Sequence, residues 1–332
     1  MKLLVTGGAG FIGANFVDFV LKNRDYEIVV GDKLTYAGDM ERLRDWKNDP
    51  RLAFYQVDIT DRNSLEEIFS KEQINAIIHF AAESHVDRSI HDATPFVDTN
   101  IKGTQVLLDL ALKHKIGRFI HISTDEVYGE LGLEGKFFED MPLNPSSPYS
   151  ASKAAADLLI KSYIRTHQFP AIIIRPCNNY GPWQYPEKFI PVIIYKAMKN
   201  EKIPVYGQGL NIREWLYVED CCNGILEIFE KGKIGEVYNI GSGAERKNIE
   251  IVKAILQIIN KPESLIEFVT DRPGHDFRYS LDTKKVKNDI TWMPSYSFEK
   301  GIEKTIQWNL ENLNWIERKI LFLKELWEKV YR

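Results

Sequence analysis

Tyr149 and Lys153 stand four residues apart in the segment YSASK, where a helical run begins, so both side chains share one helix face. A phenol beside a fixed ammonium suits proton transfer with an alcohol oxygen. The ordinary pKa of tyrosine is ~10, and making it a base near neutrality costs about 4 kcal/mol. The Lys153 charge and an oxidised nicotinamide ring could together supply that. A second group, Thr124, Asp125 and Glu126, follows a buried-looking run in HISTDEVYG. Oxidation of an alcohol needs neither carboxylate, whereas elimination of water needs a general acid and a general base. Neighbouring residues on a regular strand point to opposite faces, so the two acids serve one site only if the chain turns there. Alone, a helical Tyr/Lys pair is a common coincidence and loop acids are usually just solvated, so context must decide.

That context is a dinucleotide site. Gly7, Gly10 and Gly13 in TGGAGFIG come directly after the run LLVT and before a helical pattern carried by Phe11, Ile12, Phe16, Phe19 and Val20. Such glycines allow a tight turn and close approach of the backbone to a pyrophosphate facing a helix N-terminus. Asp32, in VVGDK, lies near the ~20-residue separation at which an acid meets the ribose hydroxyls. A carboxylate there repels a 2′-phosphate, which favours NAD over NADP, although Lys33, Arg42 and Arg44 nearby pull the other way. Asp58 and Ile59 are placed to frame the adenine, while Asp58, ahead of Thr60, is equally suited to cap a helix.

The elements that must position these residues are also visible. Leu3 to Thr6, Ile28 to Gly31, Phe54 to Val57, Ala76 to Phe80, Phe119 to Ser123 and Ile172 to Arg175 read as strands alternating with helical patterns. This predicts an α/β fold: a Rossmann-type doubly wound parallel sheet, its strands buried on both faces. Residues 1–176 are expected to form the NAD-binding domain, to which some later segments return. Residues 177–332, richer in Pro, Gly and aromatic residues, are expected to form a smaller substrate-binding α/β lobe. From Trp315, the spacing of Ile316, Ile320, Leu323 and Leu326 predicts an amphipathic helix packed on the body.

Composition limits the partners. With 332 residues, 44% hydrophobic and 27% charged, the chain can bury a large core and build a ligand cleft. A net charge of −4 gives no general attraction to nucleic acid or to an anionic membrane, so neither is expected as a partner. Cys177, Cys221 and Cys222 are odd in number and include an adjacent pair, which suits buried free thiols in a reducing compartment. The start MKLLVTGG has too short an apolar run for a signal segment, and no stretch approaches a membrane span, so the expected location is cytoplasmic. His79 and His85 lack metal-ligand spacing and are read as core or supporting residues, and no metal is expected.

The segments TGGAGFIG, DKLTYAG, AAESHVDRSI, STDEVYG, SPYSASKAAAD, NNYGP, YPEKFIP, GLNIREWLYVED and DRPGHDFRY together resemble the nucleotide-sugar branch of the extended short-chain dehydrogenases, and within it the glucose 4,6-dehydratases, across nearly the whole chain. The resemblance implies an NAD site lined by Phe11, Ile12, Asp32, Lys33, Leu34, Thr35, Asp58, Ile59, Ala81, Ala82, Ser84, Thr99, Tyr149, Lys153 and Asn179, beside the glycines. It implies that Tyr149, with Thr124 bonded to the reacting oxygen, deprotonates the 4-hydroxyl as carbon 4 is oxidised. Glu126 then removes the carbon 5 proton, Asp125 protonates the departing 6-hydroxyl, and hydride returns to carbon 6. For Asp125 to hold that proton, burial and the Glu126 charge must raise its pKa by about 3 from ~3.9. Ser84, Thr124, Asn178, Lys188, Arg213, Asn248, Arg272, His275 and Arg278 are implied near the sugar nucleotide, where a diphosphate needs convergent cations.

The resemblance favours dTDP-glucose as substrate and a homodimer formed through the helical patterns Val106 to Leu112 and Leu158 to Ile164. Glu214 stands where the family pattern has Asp beside Arg213, and Cys177 where it has Ser before the paired asparagines; both changes bear on nucleobase preference. Three other readings remain: a UDP-glucose 4,6-dehydratase, a nucleotide-sugar 4-epimerase, which has no use for the Asp/Glu pair, and a non-catalytic NAD-binding regulator, which would not need Tyr149, Lys153, Asp125 or Glu126.

Overall fold

The computed structural model describes residues 1–271 and 273–330, with side chains in the last helix described as far as Leu323. Six parallel strands carry the first half: β1 (Lys2–Thr6), β2 (Glu27–Asp32), β3 (Leu52–Gln56), β4 (Ala76–His79), β5 (Arg118–Ile122) and β6 (Ala171–Pro176). Later come β7 (Asn178–Tyr180), β8 (Ile203–Tyr206), β9 (Ile212–Tyr217), β10 (Val237–Ile240), β11 (Glu245–Lys247) and β12 (Ile266–Val269). The main sheet has seven strands in the order β10-β6-β5-β4-β1-β2-β3, all parallel. The strand order reverses between β1 and β4, which opens a crevice beyond their carboxyl ends.

Each predicted strand lies within one or two residues of its expected bounds. The continuous apolar runs have a simple cause: Leu3 and Val5 pack into the core on one face, Leu4 into the core on the other, and all three are fully buried. The helices Phe11–Asn23 and Val218–Lys231 cover one face, and Arg62–Glu72, Thr104–Lys113 and Pro148–His167 cover the other. The chain therefore returns to the first half after residue 176, through Val218–Lys231 and β10. The remaining strands form a three-stranded sheet, β11-β9-β7, and a β12-β8 pair around a separate core that includes Ile190, Ile193, Tyr217 and Ile251.

The tail forms the helix Leu313–Val330, with Ile316, Ile320 and Leu323 buried against a cluster of aromatic rings; the Leu326 side chain lies outside the described residues. Cys177, Cys221 and Cys222 are free and buried. No helix among the described residues is long and apolar enough to cross a membrane.

Candidate active site

The crevice at the β1/β4 switch is lined by the glycine loop, the ends of β2, β3, β4 and β5, the start of the helix Pro148–His167, and the segment 176–188. Gly7 adopts φ +71, and a Cβ there would fall 2.6 Å from the Ala81 amide nitrogen; at Gly13 it would fall 2.2 Å from the Gly7 carbonyl oxygen. No side chain fits in this cradle. Gly10 is the N-cap of the helix Phe11–Asn23 and offers no side-chain acceptor, so the first-turn amides face the crevice. Asp32 is buried, its two oxygens accepting from the Ala9 amide at 2.9 Å and the Leu34 amide at 2.8 Å, with lone pairs left on its crevice side.

Of the expected cofactor residues, Gly7, Gly10, Phe11, Ile12, Gly13, Asp32, Lys33, Thr35, Asp58, Ile59, Ala81, Ala82, Ser84, Thr99, Tyr149, Lys153 and Asn179 all line the crevice. Leu34 contributes only its amide to Asp32. The cations that argued for NADP all have protein partners. Lys33 pairs with Asp58 at 2.6 Å, Arg44 lies over the Trp183 ring, and buried Arg42 donates to the carbonyls of Ala9, Ala37 and Trp183. Asp58 lines the crevice while accepting from the Thr60 amide at 2.9 Å; the cap of the helix Arg62–Glu72 is Asp61, not Asp58. Thr99 sits in a π-helical turn, Val97–Gly103, a form frequent at functional sites. Its neighbour Asn100 grips both backbone groups of Glu83 and so fixes the loop after β4.

The turn that the two carboxylates require is present. Beyond β5 the chain enters a 3-10 turn, Asp125–Tyr128, capped by Thr124, whose hydroxyl accepts from the Glu126 amide at 3.2 Å. Thr124, Asp125, Glu126 and Tyr149 consequently line one crevice. The Thr124 hydroxyl lies 3.2 Å from Asp125 Oδ1, and Oδ2 of this buried carboxyl has no protein partner. Burial, then the charges of Glu126 and Glu214, push the Asp125 carboxyl well above the usual carboxylate range. Ser123 Oγ, Asn178 Oδ1 and Gln184 Oε1, which line the same crevice, are also buried without a protein partner. A cavity walled by orphaned polar atoms is built for a polar ligand.

Lys153 lines the crevice beside Tyr149. Its ammonium donates to the Ile122 carbonyl at 2.6 Å and lies 3.4 Å from His121 Nε2. Burial lowers its pKa to about 8, against the pull of Asp157. Tyr149 stands above its ordinary value, through burial first and then the Glu126 charge, while a hydrogen bond with Thr124 acts the other way.

On the substrate side, Ser84, Asn178 and Lys188 line the crevice, and the Lys188 ammonium donates to the Ser84 carbonyl at 2.9 Å. Arg213, Asn248, His275 and Arg278 lie outside its walls, and Arg272 falls outside the described residues. Arg213 stacks on Tyr279, 4.3 Å from the ring centroid, and donates to the carbonyls of Ile212, Asp276 and Phe277, close enough for its charge to act on Asp125. The Asn248 amide donates to Asn211, whose side chain donates to Asp276, and His275 pairs with Asp271 at 2.6 Å. The Arg278 guanidinium is taken up by both oxygens of Glu245 and by the carbonyls of Gly132 and Gly135, so it ties a loop together.

Glu214 is likewise structural. Fully buried, it accepts from the amides of Gly243 and Leu281 in a space that a Cβ on Gly241 would fill. Among the crevice residues that escaped the sequence reading, beside Ser123, Gln184 and Tyr185, is Glu187, buried, accepting from the Tyr36 hydroxyl at 2.9 Å, its carboxyl raised by burial. It sits in the same YPEKFIP segment from which only Lys188 was singled out.

Residues 4–305 match the family described as GDP-mannose 4,6 dehydratase. The chain is 52% identical over 310 residues to the low-salt glycan biosynthesis protein Agl12 of Haloferax volcanii, covering 93% of this chain and 99% of that one. It is 47% identical over 335 residues to a dTDP-glucose 4,6-dehydratase of Neisseria meningitidis, covering 95% and 94%. A crystal structure of the dTDP-glucose 4,6-dehydratase of Streptomyces venezuelae with NAD bound superposes with a TM-score of 0.94 at 44% identity, covering 96% of this chain and all of that one.

Proposed function

The chain belongs to the GDP-mannose 4,6 dehydratase family, and from that premise we propose that it is an NAD-dependent hydro-lyase converting dTDP-glucose to dTDP-4-keto-6-deoxyglucose and water. The observation that carries this reading is the turn Asp125–Tyr128, which gives one crevice an adjacent acid and base beside Tyr149 and the glycine loop. A 4-epimerase moves hydrogen at carbon 4 alone and makes no use of that pair.

In the proposed mechanism, the amides around Gly10 hold the cofactor diphosphate, and Asp32 accepts from a ribose. NAD held here would supply a reversible hydride acceptor for carbon 4 and donor to carbon 6, unchanged over each cycle. The Tyr149 phenolate takes the proton of the 4-hydroxyl while Thr124 hydrogen-bonds the same oxygen. Burial raises the Tyr149 phenol, and the positive charge of a bound nicotinamide ring would act the other way. With carbon 4 a ketone, the hydrogen on carbon 5 is acidic. Glu126 removes it, and Asp125, kept protonated by its burial, gives its proton to the 6-hydroxyl, which leaves as water. The proton on Glu126 exchanges with solvent before Glu126 protonates carbon 5. The proton gained by Tyr149 and the one lost by Asp125 balance through solvent.

Ser84, Asn178 and Lys188 hold the sugar and diphosphate, and the nucleotide runs on toward Arg213, Asn248 and His275. Two copies pair through the helices Thr104–Lys113 and Pro148–His167, on which Leu112 and Leu158 stand exposed at 37% and 58%. The three free thiols suit a cytoplasmic location.

Mass spectrometry of the products from dTDP-glucose and UDP-glucose, incubated in parallel without added cofactor, tests the proposal. It expects a product lighter by one water from dTDP-glucose. An isomer of unchanged mass refutes dehydration, and faster conversion of UDP-glucose assigns the same chemistry to the uracil nucleotide.

A further inference from the structure

None of the described side chains of the helix Leu313–Val330 lines the crevice, yet the helix is wired to its walls. Buried Trp315 donates its indole N–H to Asp39 Oδ2 at 2.8 Å, and Lys319 pairs with the same oxygen at 2.8 Å. Arg318 pairs with Glu41 at 2.6 Å. Asp39 caps the 3-10 turn Met40–Trp46 through the Glu41 amide, and its own amide donates to the Ala9 carbonyl at 3.0 Å. Arg42, in that turn, donates to the same Ala9 carbonyl at 2.8 Å and lies 5.3 Å from the centroid of the Trp315 ring. Ala9 sits inside the glycine loop, and its amide is held by Asp32. A continuous chain of contacts thus runs from the last helix to both the ribose carboxylate and the diphosphate loop.

The same helix braces the opposite wall. The Trp183 ring lies 5.3 Å from that of Trp315 and 4.8 Å from that of Trp308, and the Trp183 carbonyl accepts from Arg42 at 3.0 Å. Trp183 adopts φ +67, a left-handed conformation costly for a bulky residue and sustained only where surrounding contacts dictate it. Two residues on, Tyr185 lines the crevice and packs edge-on to both Trp315 and Tyr36.

We propose that the C-terminal helix is a strap that keeps the dinucleotide in its crevice throughout turnover, with Trp315 and Lys319 as positioning residues that act through Asp39 and Arg42. This rests on the reading that a single cofactor is oxidant and reductant within each cycle. An enzyme working that way gains nothing by releasing the cofactor, and release midway strands a ketone that cannot be completed.

The test compares the holoenzyme with the double variant Trp315→Phe/Lys319→Met, which keeps a ring near Arg42 but removes both donors to Asp39. Dissociation of bound NAD is followed by trapping the released cofactor with an excess of a second NAD-binding enzyme. We expect dissociation faster by about tenfold or more, less NAD carried through purification, and turnover restored by added NAD. Lys199→Met is the control: it breaks the Lys199–Glu317 pair, which fastens the same helix elsewhere, and leaves retention unchanged. Unchanged dissociation in the double variant, or equal acceleration in the control, overturns the proposal. If the double variant does not fold, Lys319→Met alone, at a side chain 23% exposed, carries the same expectation. Retention is measured without any sugar, so failure of the strap is distinct from failure of the dehydratase reading, which product analysis of the unaltered protein decides.

Discussion

Asp125 is costly to keep where it is. Its carboxyl is 2% exposed, with one oxygen unpartnered, and its pKa lies well above the unfolded value. A carboxyl with a raised pKa binds more protons folded than unfolded, so its penalty is absent below the unfolded pKa and grows as pH rises toward the folded one. Asp125→Asn is therefore expected to raise the melting temperature at neutral pH by about 2 °C or more, with the gain shrinking toward pH 4, while dehydration is lost; calorimetry across pH checks this. Glu126→Gln separates the steps instead. It should slow turnover by about a hundredfold to ten-thousandfold while absorbance of reduced nicotinamide builds up on adding dTDP-glucose, and normal turnover would remove Glu126 from the mechanism. Lys153 gives the third prediction. Facing His121 and Asp157, with Arg175 and His79 behind them, it is charged below about 8 and neutral above. If its charge assists the phenol once NAD is bound, kcat/KM falls as pH rises through that value, and a profile flat to higher pH would assign Lys153 no such part.

Among the elements, the glycine loop is the most exacting. A methyl at Gly13 meets the Gly7 carbonyl oxygen, which is backbone and cannot swing aside. Gly13→Ala should yield protein that has lost NAD affinity, as equilibrium titration would reveal; native affinity would mean that the loop tolerates opening. This loop was legible in the sequence because its requirements are local: a strand, three glycines, a helical pattern and an acid at the next strand end. The strands were legible because runs such as AIIIRP are apolar without alternation, the mark of burial on both faces. What sequence could not decide was set by distant partners. That Asp125 and Glu126 share a crevice depended on a turn that strand geometry argues against. The duty of Arg278 depended on Glu245, 33 residues away, and that of Asp58 on the closer capping position of Asp61. Glu187 was missed because nothing local marks it; its burial comes from Tyr36 and His85, more than a hundred residues earlier.

At the scale of the whole molecule, the first half supplies most of the sheet, the glycine loop and the acid-base groups, and the second supplies β10 and the crevice residues Asn178, Asn179, Gln184 and Lys188. The return of β10 to the sheet makes the two halves one folded unit, with the crevice walled by groups on β5, the helix Pro148–His167 and the segment 176–188. This arrangement makes sense only if hydrogen removed from carbon 4 stays in the crevice until it reaches carbon 6. The decisive measurement is the fate of deuterium placed at carbon 4 of dTDP-glucose. The account predicts that it appears at carbon 6 of the 4-keto product of the same molecule, with carbon 5 taking its hydrogen from solvent. Deuterium returned to carbon 4 of an isomer of unchanged mass, or lost to free cofactor, would contradict it.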